Sequence, residues 1–178
     1  DNNLTSILTG VTELMDEIDT VLSSETKTFG LSTGFKKIDN VLSGLCKSKL
    51  YILGARPRVG KSALAQQIAE NISANHNVLF HSLEMKSAQY TKRSVFRLTG
   101  LNNDILTNGG VTAEDAMTRV AEASEQLSKL NLFIDDASEC NLTSIEKNIN
   151  KMIDKKGSCD LIVIDYLQLM GSNNKKVY

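Results

Sequence analysis

Short apolar segments alternate with amphipathic helical segments along most of the chain, and this alternation constrains the fold more than any other feature. Continuous apolar runs separated by helices are typical of parallel strands that are covered on both faces. The pattern therefore predicts an α/β fold with a mainly parallel sheet and helices on both of its faces. The predicted strands are residues 49–54, 77–85, 130–136 and 160–165, and the predicted helices are residues 61–73, 86–99, 112–130 and 143–155.

The bulk composition narrows the class of protein. The 178 residues, of which 41% are hydrophobic and 23% charged, are typical of one globular domain with room for an appendage. A formal net charge of −1 gives the whole chain no nucleic-acid signature, so any DNA or RNA contact is expected from a local patch. No apolar run approaches the ~18 residues of a membrane span, so no membrane association is expected. Cys46, Cys140 and Cys159 lie far apart, which argues against zinc or disulfides and favours a reduced, cytoplasmic compartment.

The first segment carries an acidic, amphipathic pattern. Its apolar residues recur at spacings of four and three, which predicts one stripe on a helix, and Ser and Thr residues then predict a linker before Gly30. The helix either packs on the core of its own chain or docks on a neighbouring subunit. The predicted organisation is a linker helix and linker over residues 1–29 and a main domain over residues 30–178. The stripe consists of Leu4, Leu8, Val11, Met15, Ile18 and Leu22.

The sequence "GARPRVGKSALA", residues 54–65, lies between a predicted strand and a predicted helix. That is the context of a phosphate-binding loop, in which curled backbone N–H groups meet an anion at the positive end of a helix. Gly60 lets the backbone approach the phosphate, Lys61 carries a charge for the β- and γ-phosphates, and Ser62 offers a hydroxyl to Mg²⁺. The alternative is a chance Gly-Lys-Ser at a helix start.

The first position of this loop departs from the usual pattern, because Ala55 stands where a glycine is expected. A small residue can start the turn if its φ stays negative, and Pro57 fixes one φ within the loop. The loop and the first helical turn are therefore the predicted nucleotide-binding residues: Ala55, Arg56, Pro57, Arg58, Val59, Gly60, Lys61, Ser62 and Ala63.

Two carboxylates follow predicted strands at the edge where ligands collect in such sheets. Asp165 ends the last predicted strand and is the candidate that holds the water shell of Mg²⁺. Glu84 ends the second predicted strand, in "HSLEM", and is the candidate that orients the attacking water.

A second acidic pair competes for the role given to Glu84. Asp135 and Asp136 end the third predicted strand, although capping of the helix that follows is the interpretation we favour for them. Thr143 and Glu146 have the spacing of a capping box at the start of that helix.

Five motifs together resemble a known family. "GLSTGFKKIDNVLSGL", "ARPRVGKS", "HSLEM", "LFIDD" and "LIVIDYLQLM" occur in the order and approximate spacing of the DnaB-type replicative DNA helicases, from about residue 30 to residue 171. The resemblance implies a RecA-like ATPase core that uses ATP and Mg²⁺. It also implies a homo-hexameric ring on single-stranded or forked DNA, with a primase and a helicase loader as partners.

The resemblance also implies roles for individual residues. Lys61 and Ser62 would bind phosphate and Mg²⁺, Asp165 would hold the metal through water, and Glu84 would be the catalytic glutamate. The acidic first helix resembles the family's linker helix, which packs on the adjacent subunit of the ring, and this favours docking. Arg58 departs from the small or polar residue usual in the family, and we expect it to face solvent.

The motif order also carries expectations about what lies outside this chain. The family's sensing glutamine, arginine finger and most DNA-binding loops follow the last motif, so the chain alone is expected to bind nucleotide and hydrolyse it poorly. Lys175, Lys176 and Tyr178 either begin one DNA loop or form a solvated end. The expected location is the cytoplasm or replisome of a bacterium, a phage host or an organelle. Two other functions stay open: a RecA-like ATPase that is not a helicase, and a nucleotide-gated assembly module.

Overall fold

The computed structural model describes residues 6–23, 27–137 and 141–165. They belong to two units, Asp1–Val59 and Gly60–Tyr178. In the first unit, helix α1 spans Ile7–Ser23 and helix α2 spans Lys36–Leu42. The second unit contains, in chain order, α3 (Lys61–Ser73), β1 (Val78–Ser82), α4 (Ser87–Thr99), α5 (Asn103–Thr107), α6 (Ala113–Ser128), β2 (Leu132–Asp135), α7 (Leu142–Lys156) and β3 (Leu161–Asp165).

Helix α1 confirms the helix predicted near the N-terminus, and none of its residues is buried. Leu8, Met15 and Leu22 of the predicted stripe are 71%, 65% and 67% exposed, whereas Leu4 lies outside the described residues. An apolar stripe on a helix is stable in water only when it is covered, so the exposed stripe of α1 is typical of a surface that binds a partner.

The rest of the first unit is organised by the carboxylate of Asp39 on α2. This side chain is only 8% exposed, and it accepts hydrogen bonds from Thr33 N (2.9 Å), Thr33 Oγ1 (2.7 Å) and Ser32 Oγ (2.8 Å). The chain then returns so that Leu31 and Leu45 form an antiparallel bridge. These contacts close residues 31–45 into a small folded loop, which the sequence did not predict.

The strand predicted over residues 49–54 is wrong. The structure describes these residues and places no strand there, and Leu50 and Ile52 are 87% and 86% exposed. An apolar run becomes a strand only when a neighbour takes up its N–H and C=O groups. The described strands satisfy this condition by pairing with one another.

The second unit contains a three-stranded sheet in the order β2-β1-β3, with both pairings parallel. All five residues of the central strand β1 are buried, which explains why it begins with three consecutive apolar residues instead of an alternating pattern. The other predicted strands and the four predicted helices are all present. The sheet and helices therefore confirm the predicted α/β fold, apart from residues 49–54.

Helices cover both faces of this sheet. On one face, α3 contacts all three strands, and Phe80 of β1 meets Tyr90 of α4 edge to face with ring centroids 5.0 Å apart. On the other face, Asn148 of α7 donates a hydrogen bond to Asp135 of β2 (2.7 Å). Helix α6 packs on α4 as an outer layer.

The capping box predicted from Thr143 and Glu146 is wrong in its residues. Helix α7 begins at Leu142, so the N-cap is Asn141, whose side chain accepts from Ser144 N at 2.9 Å. Ser144 Oγ in turn accepts from Asn141 N at 2.9 Å, which completes a box two residues earlier than predicted. Asparagine is as good an N-cap as threonine, and spacing alone did not distinguish the two.

Candidate nucleotide-binding site

The start of α3 and the ends of β1 and β3 meet at the carboxyl edge of the sheet. Strands β1 and β3 are in register from Val78 and Leu161 to Ser82 and Asp165, and Leu83 N donates to Asp165 O at 2.9 Å. In parallel sheets of this kind, this edge is where ligands bind.

Lys61 and Asp165 form an ion pair at this edge. Lys61 Nζ lies 3.2 Å from Asp165 Oδ1, and the side chains are 29% and 7% exposed. Lys61 is the first residue of α3, and Asp165 is the last residue of β3. The two residues that the sequence analysis assigned to phosphate and metal binding are therefore in direct contact.

Gly60 is the N-cap of α3 and has φ 100° and ψ 17°, a left-handed conformation that a side chain rarely adopts. The N-cap residue of α3 therefore contributes no side-chain hydrogen bond to the helix. The first N–H groups of a helix have no partner within the helix and carry its positive pole, so an anion is well placed there. Ser62 and Ala63 lie in the first turn of α3, with Ser62 half-buried and Ala63 exposed.

Residues 55–59 of the predicted loop belong to the first unit, and all five are exposed. Ala55 does not have a positive φ. This agrees with the condition under which a small residue can replace glycine at the first position of the loop. Arg58 has φ 65°, a conformation that costs a non-glycine residue free energy, and its side chain is exposed as expected.

Glu84 lies at the same edge, two residues beyond the end of β1, and its side chain is exposed. The residues on either side of it are anchored. Leu83 N donates to Asp165 O, and Met85 O accepts from Ser82 Oγ at 2.5 Å. An exposed carboxylate on a held backbone can meet a water molecule without a rearrangement of the chain.

Asp135 and Asp136 have structural partners. Asp135 Oδ2 lies 3.0 Å from Nδ1 of His81, a fully buried residue on the neighbouring strand. Asp136 Oδ2 accepts from Ser87 N at 2.8 Å, and this hydrogen bond lowers the pKa of Asp136. The prediction that this pair caps the helix that follows is wrong, because Asp136 caps α4 and Asn141 caps α7. No local pattern in the sequence indicates this long-range cap.

The side-chain oxygen atoms of Ser62 and Asp165 suit a Mg²⁺ ion that is bound together with a nucleotide. Within residues 6–23, 27–137 and 141–165, no three His, Cys, Asp or Glu residues cluster to hold a metal by themselves. Mg²⁺ usually takes one or two protein oxygens and completes its shell with water and substrate phosphates. Ser62 and Asp165 supply hard oxygen atoms of that kind, so these residues fit the ion.

A buried polar cluster beside this edge was not predicted from the sequence. Gln66 and Glu70 on α3 are 3% and 4% exposed, and they face Arg93, Ser94 and Arg97 on α4. The available signal in the sequence was the spacing of Gln66 and Glu70, two polar residues four positions apart on the helix that follows the predicted phosphate loop.

The family profile described as DnaB-like helicase C terminal domain matches residues 30–177. The chain belongs to the DnaB-like helicase C-terminal domain family. It is 35% identical over 164 residues to the replicative DNA helicase DnaB of Geobacillus stearothermophilus, covering 90% of this chain and 36% of that protein. It is 36% identical over 143 residues to a probable plasmid replicative DNA helicase of Chlamydia trachomatis, covering 79% of this chain and 31% of that protein. The chain thus spans about a third of each relative.

Solved structures agree with this DnaB-like assignment. One structure, described as an ATPase domain, matches all of this chain and 62% of its own length, with a TM-score of 0.84 and 25% identity. A structure described as a DnaB-like replicative helicase and its interactions with primase matches all of this chain and 42% of its own length, with a TM-score of 0.78 and 25% identity. These similarities confirm the predicted RecA-like ATPase fold. Among the described residues, no helix combines the length and apolar character needed to cross a membrane.

Proposed function

We propose that this DnaB-like chain is the ATP- and Mg²⁺-dependent motor core of a replicative DNA helicase. In this proposal the complete protein hydrolyses ATP, translocates on single-stranded DNA and separates forked duplex. The observation that carries the proposal is the contact of Lys61 with Asp165 at the start of α3, within a fold that belongs to a helicase family.

The site residues have complementary charges for this chemistry. The first N–H groups of α3, which follow Gly60, would meet the phosphates, and the ammonium of Lys61 would offset charge on their oxygens. Ser62 and Asp165 would hold Mg²⁺, the latter through water, and the bound ion would neutralise phosphoryl charge. Glu84 would orient the attacking water and accept its proton.

The proposed assembly is a homo-hexamer that closes through α1. The exposed stripe of this helix would dock on the next copy, with residues 1–29 acting as linker and residues 30–178 as ATPase core. Further proposed partners are single-stranded or forked DNA, a helicase loader and a primase, the last of which is named with one structural relative. The proposed compartment is the cytoplasm, at the replisome of a bacterium, phage host or organelle.

The test is ATP-dependent unwinding of a forked duplex by the full-length protein that contains this chain, with ATP turnover measured in parallel. We expect Lys61→Ala to abolish nucleotide binding, because it removes the cation at the phosphate site. We expect Glu84→Gln to retain nucleotide binding within about twofold and to lower turnover by roughly 100-fold or more, as for loss of a general base. Glu122→Gln, on the exposed part of α6, is the matched control.

Each of the other outcomes contradicts part of the proposal. Turnover without unwinding would indicate a RecA-like ATPase that is not a helicase. Nucleotide-dependent assembly without turnover would indicate an assembly module. Full turnover in both the Lys61 and Glu84 variants would exclude the proposed site.

A further inference from the structure

The turn that carries Glu84, residues 83–86, is held to the surrounding structure from several directions. Leu83 N donates to Asp165 O at 2.9 Å, and Met85 O accepts from Ser82 Oγ at 2.5 Å. Lys86 Nζ donates to Asp136 O at 3.0 Å. These three contacts attach the turn to the ends of all three strands, and none of the three reaches α3, the helix at which phosphate is proposed to bind.

Arg93 of α4 supplies a contact between the Glu84 turn and α3. Its Nη2 donates to Met85 Sδ at 2.9 Å, and its Nη1 donates to Gln66 Oε1 at 3.4 Å. Met85 is adjacent to Glu84, and Gln66 lies on α3, four residues after Ser62. One guanidinium therefore bridges the turn and the helix.

The amide of Gln66 is oriented by its other partners. Its Nε2 lies 3.0 Å from Tyr90 O, 2.7 Å from Ser94 Oγ and 3.1 Å from Glu70 Oε1. Because the carbonyl and carboxylate oxygens can only accept, the amide nitrogen must face them, and the amide oxygen is then left for Arg93. A buried amide with this many partners holds a single rotamer, so it is a firm anchor for the guanidinium.

Residues 62 and 66 are one turn apart on the same face of α3. A displacement at the start of this helix would move Gln66 with it, since a helix of this length moves as a rigid element. Arg93 would pass that displacement to Met85 and hence to Glu84. Arginine suits this role because its planar fork reaches two acceptors in fixed directions, whereas lysine provides a single point charge.

We propose that Arg93 is a positioning residue for ATP hydrolysis, which holds the Glu84 turn at a fixed place relative to the phosphate-binding helix α3. Arg93 acts through Met85 and Gln66, and it affects catalysis by fixing the position of the Glu84 carboxylate. This inference rests on the proposed function, because it requires Glu84 to act on the attacking water.

The same helix offers a matched control. Arg97 lies one turn after Arg93 on α4 and also contacts α3, through an ion pair with Glu70, a residue that is 4% exposed. The described contacts of Arg97 do not include any residue of the Glu84 turn. Substitution of Arg97 therefore disturbs the interface of α3 and α4 without releasing the turn.

The experiment compares Arg93→Gln with Arg97→Gln in the full-length protein that contains this chain. For Arg93→Gln we expect kcat for ATP to fall by about 10- to 100-fold, the range for a small misplacement of a catalytic group, with the dissociation constant for ATP unchanged within about twofold. For Arg97→Gln we expect kcat to stay within about twofold of the parent and the melting temperature to fall, because an ion pair with a buried carboxylate is broken. Equal losses of kcat in both variants, or an unchanged kcat in Arg93→Gln, would overturn the proposal.

Amide hydrogen exchange of residues 83–86 provides a readout that does not depend on turnover. We expect Arg93→Gln to accelerate exchange in this turn and Arg97→Gln to leave it unchanged. Met85→Leu, which keeps the volume and removes the sulfur acceptor, should reproduce the faster exchange and part of the loss in kcat even if the Arg93 variant is poorly folded. Unchanged exchange in both Arg93→Gln and Met85→Leu would contradict the proposal.

Glu84→Gln, measured alongside, separates this inference from the proposed function. If Glu84→Gln keeps full turnover, the assignment of Glu84 is wrong and the catalytic role of Arg93 is wrong with it. If Glu84→Gln stops turnover while Arg93→Gln does not, the proposed function stands and the positioning role of Arg93 is excluded.

Discussion

At the scale of single residues, two carboxylates show how differently a buried negative charge can be stabilised. Asp165 is 6% exposed and has the ammonium of Lys61 at 3.2 Å, an opposite charge that a nucleotide phosphate would compete for. Asp39 is 8% exposed and is held by neutral hydroxyl and amide donors instead. The first arrangement is suited to exchange of partners and the second to a permanent structural role.

The pKa of Asp39 makes the second role testable. Burial raises this pKa, but hydrogen bonds from the Thr33 backbone and side chain, from Ser32 and from the Gly34 backbone outweigh burial and hold it below the ordinary value of 3.8. The stabilisation is therefore present above the unfolded-state pKa and is lost as the pH falls through the lower folded-state value.

We expect Asp39→Asn to destabilise the first unit by about 1 kcal/mol at pH 7, because hydrogen bonds to a charged acceptor become bonds to a neutral one. The difference between Asp39→Asn and the parent should shrink as the pH falls from the ordinary carboxyl pKa of 3.8 through the lower pKa of the folded parent, where the native carboxylate becomes protonated. Protection of the Thr33 amide from hydrogen exchange measures this difference in stability directly. Asp154→Asn, at an exposed position, is the control. A difference that is independent of pH would contradict this account.

At the scale of elements, the sequence predicted those parts of the fold that depend on local pattern. Helix α3 was predicted over the same residues that the structure shows, since the Gly-Lys-Ser at its start is a local signal. Residues 49–54 have an equally clear apolar pattern and form no strand, because a strand depends on its neighbours.

The same distinction applies to the candidate site. Lys61, Asp165 and Glu84 were identifiable because each stands at the end of a predicted element. The cap of α4 by Asp136 and the link through Arg93 join residues 49 and 27 positions apart in sequence, so no local pattern could indicate them.

The start of α7 provides a prediction at this scale. We expect Asn141→Ala to lower the free energy of unfolding by about 1 kcal/mol, because the Ser144 amide loses its acceptor. Glu146→Ala, which would remove the box expected from sequence, should have an effect within about 0.5 kcal/mol, as for an ordinary surface change. Urea denaturation followed by circular dichroism measures both variants, and the reverse order of effects would restore the original prediction.

At the scale of the whole molecule, the proposed nucleotide chemistry rests on the ATPase fold, whereas the proposed assembly rests on α1. Its exposed apolar residues are spaced for one face, and acidic residues lie between them in sequence. A contiguous apolar face of this kind is typical of an interface. The tail residues Lys175, Lys176 and Tyr178, expected either to begin a DNA loop or to be solvated, lie outside the described residues.

The proposed ring is therefore tested most clearly by substitutions in α1. Replacing Leu8, Met15 and Leu22 together with serine removes apolar area that docking on a second copy would bury, at roughly 25 cal/mol per Å². We expect this triple variant of the full-length protein to lose the hexamer in native mass spectrometry while each subunit still binds ATP, because the site at Lys61 is untouched. A variant with Glu13→Ser, Glu17→Ser and Asp19→Ser changes the same helix without removing the apolar stripe. It should still be detected at the mass of a hexamer. If the triple apolar variant remains hexameric, α1 is not the docking element, and the ring closes through other surfaces of the protein.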